Sequence, residues 1–454
     1  MRSILSLLLL LVVNYAIAQL PKDIDREIVF RSVNVIPMDS ERVLENQDVI
    51  VKNGTITSVA ATGTVKYSKE AMIVDGKGKF LMPGLAEMHA HVPPVNDIEP
   101  MKEVVLLFAL NGITTIRGML GHPKHLELRQ KINSGEILGP RFITSGPSLN
   151  GNSVKTTQNA IDSVRSQKKA GYDFMKLHPG LTKENFAALA VEAKKQKHPF
   201  AGHVSFDVGV WRAIAAGYAT IDHLDGFVES LVPGIESIKE QETGLFGMFI
   251  GKQADESKIP ALITALKRQN IWVVPTQALA ERWMSPSRDA ESLAQAPEMI
   301  YMNKNVVTTW LNNKKSLVGN PKYNASETES FIKLRRKLIL ECQKNGVGLL
   351  LGCDAPQVFN VPGFSTHHEL AYLVDAGLTP FQALQTGTVN VGKFLKKKDL
   401  GLIKKGAPAD LVLLGANPLE TIRNTENIEG VLMGKKWLSK EFITESLKAI
   451  AATK

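Results

Sequence analysis

The sequence predicts a mixed α/β fold in which a TIM-type (β/α)8 barrel is inserted into a small β-sandwich domain. Three observations predict it. Short alternating β segments lie at both ends, the middle alternates apolar β runs with helical patterns, and there are eight such runs. The chain of 454 residues is long enough for both units. The expected boundaries are 27–80 plus 398–440 for the β-sandwich and 81–397 for the barrel.

The first eighteen residues are typical of a secretory signal peptide. Arg2 precedes an apolar run over residues 4–13, and the small-x-small motif "AIA" ends at Ala18. The run is too short to span a membrane comfortably. We therefore expect an exported protein, periplasmic or secreted, that is soluble, starts near Gln19 and has no membrane association once the signal is removed.

The two ends of the chain carry β patterns. "DVIVKNGTITSVA" alternates apolar and polar residues around Asn53-Gly54, a strong hairpin signal. Near the other end, "ADLVLLGANP" and "IEGVLMGKKWL" resemble short strands between turns. Neither end has enough strands for a stable sheet alone. The two ends are therefore predicted to pair into one domain.

The middle of the chain supplies the barrel. Its eight apolar runs are "GLAEMHAHV", "TTIRGM", "RFITSG", "DFMKLH", "FAGHV", "TIDHL", "IWVVPT" and "GLLLGCD". Helical patterns lie between most of them, over 101–110, 125–134, 183–196, 209–216, 259–269 and 331–344. The alternative, an open doubly wound sheet, lacks a Gly-x-Gly-x-x-Gly after its first strand. Long connections at 226–257 and at 279–330 are predicted to form lids or substrate walls. For "GLFGMFIG" in the first of them a substrate wall is preferred to a short membrane-touching segment, because no basic amphipathic helix adjoins it.

Charge and cysteine content exclude some classes of protein. The net charge is +9, but the basic clusters "LRRK" and "LKKKD" are not interleaved with aromatic residues, so no nucleic-acid partner is expected. A predicted strand of roughly 20 Å separates Cys342 from Cys353. That span exceeds the ~7 Å Cα limit of a disulfide, so we expect two reduced, buried thiols. The expected partner is a small-molecule substrate. Whether the chain forms a homo-oligomer is left open.

Side chains that can bind a metal ion lie where the predicted strands end. His89 and His91 point to one face of the first strand, because residues i and i+2 of a strand share a face. The ends of later runs carry Lys176, His203, His223 and Asp354. Active sites of such barrels lie at the carboxyl ends of the strands. Histidine nitrogens and carboxylate oxygens that converge there predict a metal site.

Several longer stretches resemble one enzyme superfamily. They are "LMPGLAEMHAHV", "NGITTIRG", "GYDFMKLH", "AGHVSFDVGVWRAIAAGYATIDHLDG", "LGCDAP", "HHELAYLVDAGLTPFQALQTGTVNVGKFL" and "GLIKKGAPADLVLLGANPL". From about residue 28 to about residue 437, the chain resembles the amidohydrolase superfamily, in the branch of imidazolonepropionase-like and prolidase-like enzymes. These motifs are specific for the superfamily and much less so for a substrate.

The resemblance implies a binuclear metal centre. His89, His91 and Asp354 would bind the more buried metal, and His203 and His223 the more exposed one. Lys176 matches a lysine that reacts with carbon dioxide to form a carbamate bridging both metals. The implied cofactors are two divalent ions, with Zn2+ preferred for these N/O ligands and manganese or iron as alternatives. Asp354 would accept a proton from the attacking hydroxide and pass it to the leaving nitrogen.

The pattern departs from the prolidase-like branch at three points. Ser205 stands where those members usually have tyrosine, "GPSLNGNSVK" lacks their Gly-Gly-His, and Arg117-Gly118 replaces an Arg-Asp pair. These departures weaken the case for a dipeptidase and leave the metal site intact. A substrate carboxylate would need another anchor, for which Arg117, His122 and His178 are candidates.

These observations predict an exported binuclear metal-dependent amidohydrolase that hydrolyses an amide or cyclic-amide bond. Enzyme alternatives are a prolidase-like dipeptidase, or an esterase, lactonase or phosphotriesterase, since the same hydroxide attacks those centres. From another class, the chain would be a metal-loaded binding protein without catalysis. The complete set of ligands favours the enzyme.

Overall fold

The computed structural model describes residues 20–454, so the predicted signal peptide lies outside the described residues. The strands are β1 Ile28–Val35, β2 Leu44–Lys52, β3 Thr55–Ala61, β4 Met72–Asp75, β5 Phe80–Pro83, β6 Leu85–Ala90, β7 Ile113–Gly118, β8 Arg141–Thr144, β9 Met175–Leu177, β10 Phe200–Gly202, β11 Thr220–Asp222, β12 Trp272–Val274, β13 Asp410–Leu414, β14 Ile428–Met433 and β15 Lys436–Ser439.

The α-helices alternate with the strands through the middle of the chain. They are α1 Glu99–Leu110, α2 Pro123–Asn133, α3 Thr157–Ala170, α4 Lys183–Gln196, α5 Gly209–Ala216, α6 Phe227–Leu231, α7 Glu240–Thr243, α8 Ile259–Arg268, α9 Gln277–Leu279, α10 Ala290–Ala294, α11 Lys304–Val318, α12 Ala325–Asn345, α13 Phe364–Asp375, α14 Pro380–Gly387, α15 Val389–Phe394 and α16 Lys440–Ala451. Within residues 20–454, no helix is long and apolar enough to cross a membrane.

Strands from both ends of the chain share one sheet. Its order is β15-β14-β13-β5-β1-β2-β3, with β4 also paired to β1. The two ends meet where β13 pairs antiparallel with β5, with Leu411 opposite Pro83. The expected hairpin is present between β2 and β3. Asn53 and Gly54 form its turn with φ of 50° and 72°, values that suit a type I′ turn.

The eight strands of this sheet form one continuous hydrogen-bonded ladder. β1 pairs with β2 along one edge and with β4 and then β5 along the other. Strands from both ends contribute to one apolar cluster, which includes Phe30, Val51, Ile56, Leu411 and Leu432. Both ends of the chain therefore build one sheet-rich domain, and its two-layer arrangement stays a prediction.

The middle of the chain contains two parallel sheets. One has the order β6-β7-β8 and the other β9-β10-β11-β12. Every residue of β6 and β7 is buried, as expected for parallel strands covered by helices. Seven of the eight predicted runs are therefore strands, and each of the six predicted helical segments lies on a helix. Helix α3 was not predicted, because its segment is mostly polar.

The eighth run, over 348–354, forms no regular strand but still hydrogen bonds to both parallel sheets. Leu350 N–H donates to the Val273 carbonyl at 2.9 Å, and the Leu351 carbonyl accepts from Met88 N–H at 2.7 Å. Between the sheets on the other side, Asp173 N–H donates to the Thr144 carbonyl at 3.0 Å. These hydrogen bonds connect the two parallel sheets to each other and to the eighth run.

Both cysteines are free and buried, as expected. Cys342 lies in α12 and Cys353 in the eighth run. Burial raises the pKa of the Cys342 thiol to about 12. Both thiols are therefore neutral, and neither is a candidate nucleophile.

Candidate metal centre

A cavity of about 1090 Å3 opens where the parallel strands end. His91, His203 and His223 line it, and each follows directly after a strand or within one residue of its end. Asp354, at the end of the eighth run, lines the same cavity. The structure thus brings together side chains that are far apart in sequence.

The tightest cluster of donor atoms joins His89, His91 and Asp354. Their ligand atoms all lie within 4.8 Å of one another. Asp354 Oδ1 lies 2.6 Å from His91 Nε2 and 3.4 Å from His89 Nε2. Two imidazole nitrogens and a carboxylate oxygen at this spacing are suited to a divalent cation.

Lys176 lies beside this cluster at the middle of β9. Its side chain is fully buried, and Nζ is 3.2 Å from His89 Nε2. The amine therefore meets an imidazole rather than a carboxylate. Burial lowers the pKa of Lys176 to about 8, which makes the neutral amine more accessible near neutral pH.

His203 and His223 lie next to this cluster, and the ring centroids of His89 and His223 are 4.4 Å apart. The ring centroids of His203 and His223 are also 4.4 Å apart, and these two rings are stacked. His203 Nδ1 hydrogen bonds Asp225 Oδ2 at 2.9 Å, and His223 Nδ1 hydrogen bonds Thr276 Oγ1 at 2.8 Å. His223 Nε2 is buried and has no hydrogen-bond partner among residues 20–454. A bound cation would supply the partner that this nitrogen lacks.

The histidines are held in the protonation state that a ligand requires. Burial lowers the pKa of His203 to about 3, and it lowers the pKa values of His89 and His223 well below the usual range. Only a neutral imidazole offers a lone pair to a metal. The donor set and its protonation therefore fit divalent cations.

A second row of side chains fixes the ligands. Asp222 Oδ2 lies 2.7 Å from His89 Nδ1, on the nitrogen opposite the cluster. Asp225 and Thr276 hold His203 and His223 in the same manner. Such outer carboxylates and hydroxyls set the tautomer and the ring orientation of a metal-binding histidine.

The sequence analysis missed all three of these partners. The stretch "TIDHLDG" contains the signal for two of them, because Asp222 and Asp225 flank His223 in a segment rich in donors. Thr276 has no comparable signal. Thr276 follows β12, the next strand along the chain, and contacts His223 only in the folded structure. No local sequence pattern indicates such a contact.

Arg117 does not lie at the cavity, where the sequence analysis placed it as a candidate anchor. It is 2% exposed and sits inside the parallel sheets. Its guanidinium donates to the Met88 carbonyl at 2.7 Å, to Thr220 Oγ1 at 3.1 Å and to Asp222 at 3.3 Å. These bonds engage Nε and one terminal nitrogen of the guanidinium inside the fold, so the geometry gives Arg117 a supporting position next to His89.

His122 and His178 occupy different positions. His122 is the N-cap of α2, where its Nδ1 accepts from Lys124 N–H at 3.2 Å, and it does not line the cavity. His178 does line the cavity, with its ring centroid 5.2 Å from that of His203. Its Nδ1 lies 2.7 Å from Ser148 Oγ. Of the three candidate anchors, only His178 is near the donor cluster.

Aromatic side chains and two cations complete the cavity wall. Phe246 and Phe249 come from the 226–257 connection, Trp211 from α5 and Trp283 from the 279–330 connection. Both long connections therefore contribute to the wall, as expected. The cavity-lining cations are Lys183 and Arg212, which the sequence analysis did not single out.

Comparison with known proteins adds independent findings. The model of the Amidohydrolase family matches residues 80–437. Ochratoxinase from Aspergillus niger is 24% identical over 417 residues, which cover 86% of this chain and 81% of that protein.

Two solved structures have a similar fold. A putative prolidase from Bifidobacterium longum aligns with a TM-score of 0.66 and 23% identity, over 94% of this chain and 100% of that chain. Bottromycin amidohydrolase aligns with a TM-score of 0.70 and 19% identity, over 94% of this chain and 90% of that one.

Proposed function

The chain belongs to the amidohydrolase family, and we propose that it is an exported, binuclear metal-dependent hydrolase that cleaves an amide or cyclic-amide C–N bond. One observation carries the proposal. His91, His203, His223 and Asp354 line one cavity at the ends of the parallel strands, His89 contacts Asp354 and His223, and Lys176 contacts His89. We propose further that the eight runs of 81–397 close into a (β/α)8 barrel. The β-domain then comprises 27–80 plus 398–440.

The proposal includes two metal positions. His89, His91 and Asp354 would hold one cation, and His203 and His223 the other. Lys176, carboxylated by carbon dioxide, would contribute an anionic ligand to both. Zinc suits these N/O donors and requires no redox partner.

Bound divalent cations would supply Lewis acidity and lower the pKa of a nucleophilic water. The remaining steps fall to the side chains of the protein. Asp354 is the carboxylate at the cavity floor, 4% exposed, and is placed to accept a proton from the water and return it to the leaving nitrogen. Phe246 covers His223, with ring centroids 5.2 Å apart, and excludes bulk water from that side.

The cavity favours a bulky amide over a dipeptide. Its volume of about 1090 Å3 is slightly above the ~300–1,000 Å3 range of pockets that bind drug-sized ligands. Trp211, Phe249 and Trp283 offer apolar walls, and Arg212 and Lys183 offer positive charge for a carboxylate. We therefore propose an N-acylated amino-acid-like substrate with a large apolar group. The match to the Amidohydrolase family agrees with an amide substrate.

The first test is metal content per chain by elemental mass spectrometry, on protein produced with zinc and bicarbonate. About two metals per chain, together with hydrolysis of N-acyl aromatic amino acids, supports the proposal. About one metal per chain argues against Lys176 as a bridging ligand and indicates a mononuclear site. Hydrolysis of Xaa-Pro dipeptides alone, or of esters and lactones alone, replaces the proposed substrate class. No metal and no turnover supports a binding protein instead.

A further inference from the structure

Arg335 lies in the middle of α12 and is completely buried. Its guanidinium donates to the His223 carbonyl at 2.7 Å, to the Pro275 carbonyl at 2.9 Å and to Gln277 Oε1 at 3.1 Å. One side chain thus joins the segments that follow β11 and β12. All three acceptors are uncharged.

The backbone that Arg335 holds is strained. His223, Leu224 and Thr276 have φ of 64°, 54° and 46°, in the left-handed region that side chains with a Cβ rarely adopt. Such a conformation persists only where surrounding contacts enforce it. The bonds from Arg335 reach His223 itself and the carbonyl just before Thr276, so they act on both strained segments.

The same two segments carry the hydrogen bond that orients the His223 ring. His223 Nδ1 and Thr276 Oγ1 are 2.8 Å apart. Because Arg335 fixes the backbone on both sides of this bond, it fixes the direction in which His223 Nε2 points. His223 Nε2 is buried and has no hydrogen-bond partner within residues 20–454.

Arg335 also supports the aromatic cover of His223. Its guanidinium carbon lies 5.7 Å from the centroid of the Phe246 ring, within cation–π range. Phe246 in turn stacks on the His223 ring at 15° between planes. The histidine is therefore held through its carbonyl and through the ring that covers it.

We propose that Arg335 is a positioning residue for the half of the metal centre formed by His203 and His223, an inference that rests on the proposed function. Part of the cost of burying this charge is offset by Glu369, Glu281 and Asp225. An apolar side chain would fill the space and need no such offset. Setting the direction of His223 explains why an arginine stands there. It acts through His223 and touches no substrate.

The experiment compares Arg335→Met with Arg336→Met in the full chain. Methionine keeps an apolar stem but removes the donors to His223 and Pro275. Arg336 is the matched control, since it follows in the same helix and donates to Glu281 at 2.8 Å. Zinc content per chain and zinc affinity in chelator competition are measured, with folding checked by circular dichroism.

Arg335→Met is expected to retain one zinc and to bind the second about 10- to 100-fold more weakly, the usual loss when an outer partner of a metal ligand is removed. Arg336→Met is expected to keep the wild-type content. A folded Arg335→Met protein with wild-type affinity for both zinc ions overturns the inference and leaves the proposed function standing. Wild-type protein without a second zinc overturns both.

If Arg335→Met does not fold, Arg335→Lys decides. Lysine keeps the charge, but its compact ammonium cannot span the three acceptors as the guanidinium does. Weakened binding of the second zinc by this variant supports the inference. Unchanged affinity for both ions contradicts it.

Discussion

Two proposed roles, metal ligand and proton acceptor, fall on the buried carboxylate of Asp354. Its Oδ1 is within reach of both His91 and His89, and its φ of 66° is in the left-handed region. Strain of this kind collects at functional sites, where the surrounding structure enforces it. The proposed role in proton transfer therefore depends on a backbone conformation that the surrounding contacts hold in place.

Replacing Asp354 with asparagine tests that role. An amide keeps a ligand oxygen but does not accept the proton, so kcat is expected to fall about 100- to 10,000-fold while metal content stays near that of the wild type. Steady-state kinetics and elemental analysis of the same sample give both quantities. Asp207→Asn, at the cavity rim, is the control. Undiminished turnover with both metals bound would remove Asp354 from the proton path.

His198 shows how a buried imidazole links stability to pH. It is 2% exposed, and both ring nitrogens lack a hydrogen-bond partner within residues 20–454. Burial lowers its pKa from 6.5 to about 4. Between these values the unfolded chain binds more protons than the folded one, so stability falls as the pH drops through this window.

His198→Leu is expected to remove that dependence. Between pH 6.5 and pH 4, protonation of His198 should lower the unfolding free energy of the wild type by up to about 3 kcal/mol. The variant lacks this contribution, so its unfolding free energy should decrease by that much less. Thermal midpoints measured across the window for both proteins give the comparison. Parallel curves for the two proteins would show that His198 is not the source.

At the scale of elements, regular helices were the most predictable part. The sequence predicts 183–196 and 209–216, and α4 and α5 have these bounds. Local signals suffice there. Thr182 caps the start of α4, and Gly217 ends α5 in the left-handed conformation.

Where an element depends on distant contacts, the sequence was less informative. The run at 348–354 has a strand-like composition but bonds to its neighbours too irregularly to form a strand. Arg117 lies in a strand whose position was predicted, yet its side chain meets Asp222 of another strand. Similarly, the candidate metal ligands could be named from the sequence, because local patterns indicate where strands end. Thr276 and Arg335 could not, because they meet His223 only through tertiary contacts.

The 226–257 connection is the element most open to a test of specificity. Phe249 lines the cavity and does not belong to the donor cluster. Phe249→Ala is expected to raise KM for bulky N-acyl amino acids by about 10-fold or more, because part of an apolar wall is lost, with a smaller change in kcat. Ile300→Ala, at an exposed residue, serves as the control. A KM equal to that of the wild type would place the apolar group elsewhere.

At the scale of the whole molecule, the metal centre joins distant parts of the chain. The proposed ligands extend from His89 to Asp354, so cations bound there would connect both parallel sheets and the eighth run. A ligand that binds only the folded state stabilises it in proportion to the logarithm of its concentration over its Kd.

Chelation is therefore expected to lower the thermal midpoint by several degrees, and restoring zinc is expected to reverse the change. Differential scanning calorimetry with and without chelator measures the shift. The double variant His203→Ala, His223→Ala should respond less, because it has half of the centre. Equal midpoints with and without metal would show that the site contributes nothing to folding.

The sheet shared by the two ends of the chain has a consequence for the order of events during synthesis. Phe80 of β5 pairs with Leu414 of β13, so the ribosome delivers the entire middle of the molecule before this partner exists. Until then, one edge of β5 is exposed, and exposed edges invite association between chains. Contacts between residues so distant in sequence also form slowly. The final strands therefore cover the open edge of β5. A nascent chain that lacks them leaves this edge exposed and is the species most in need of protection by a chaperone.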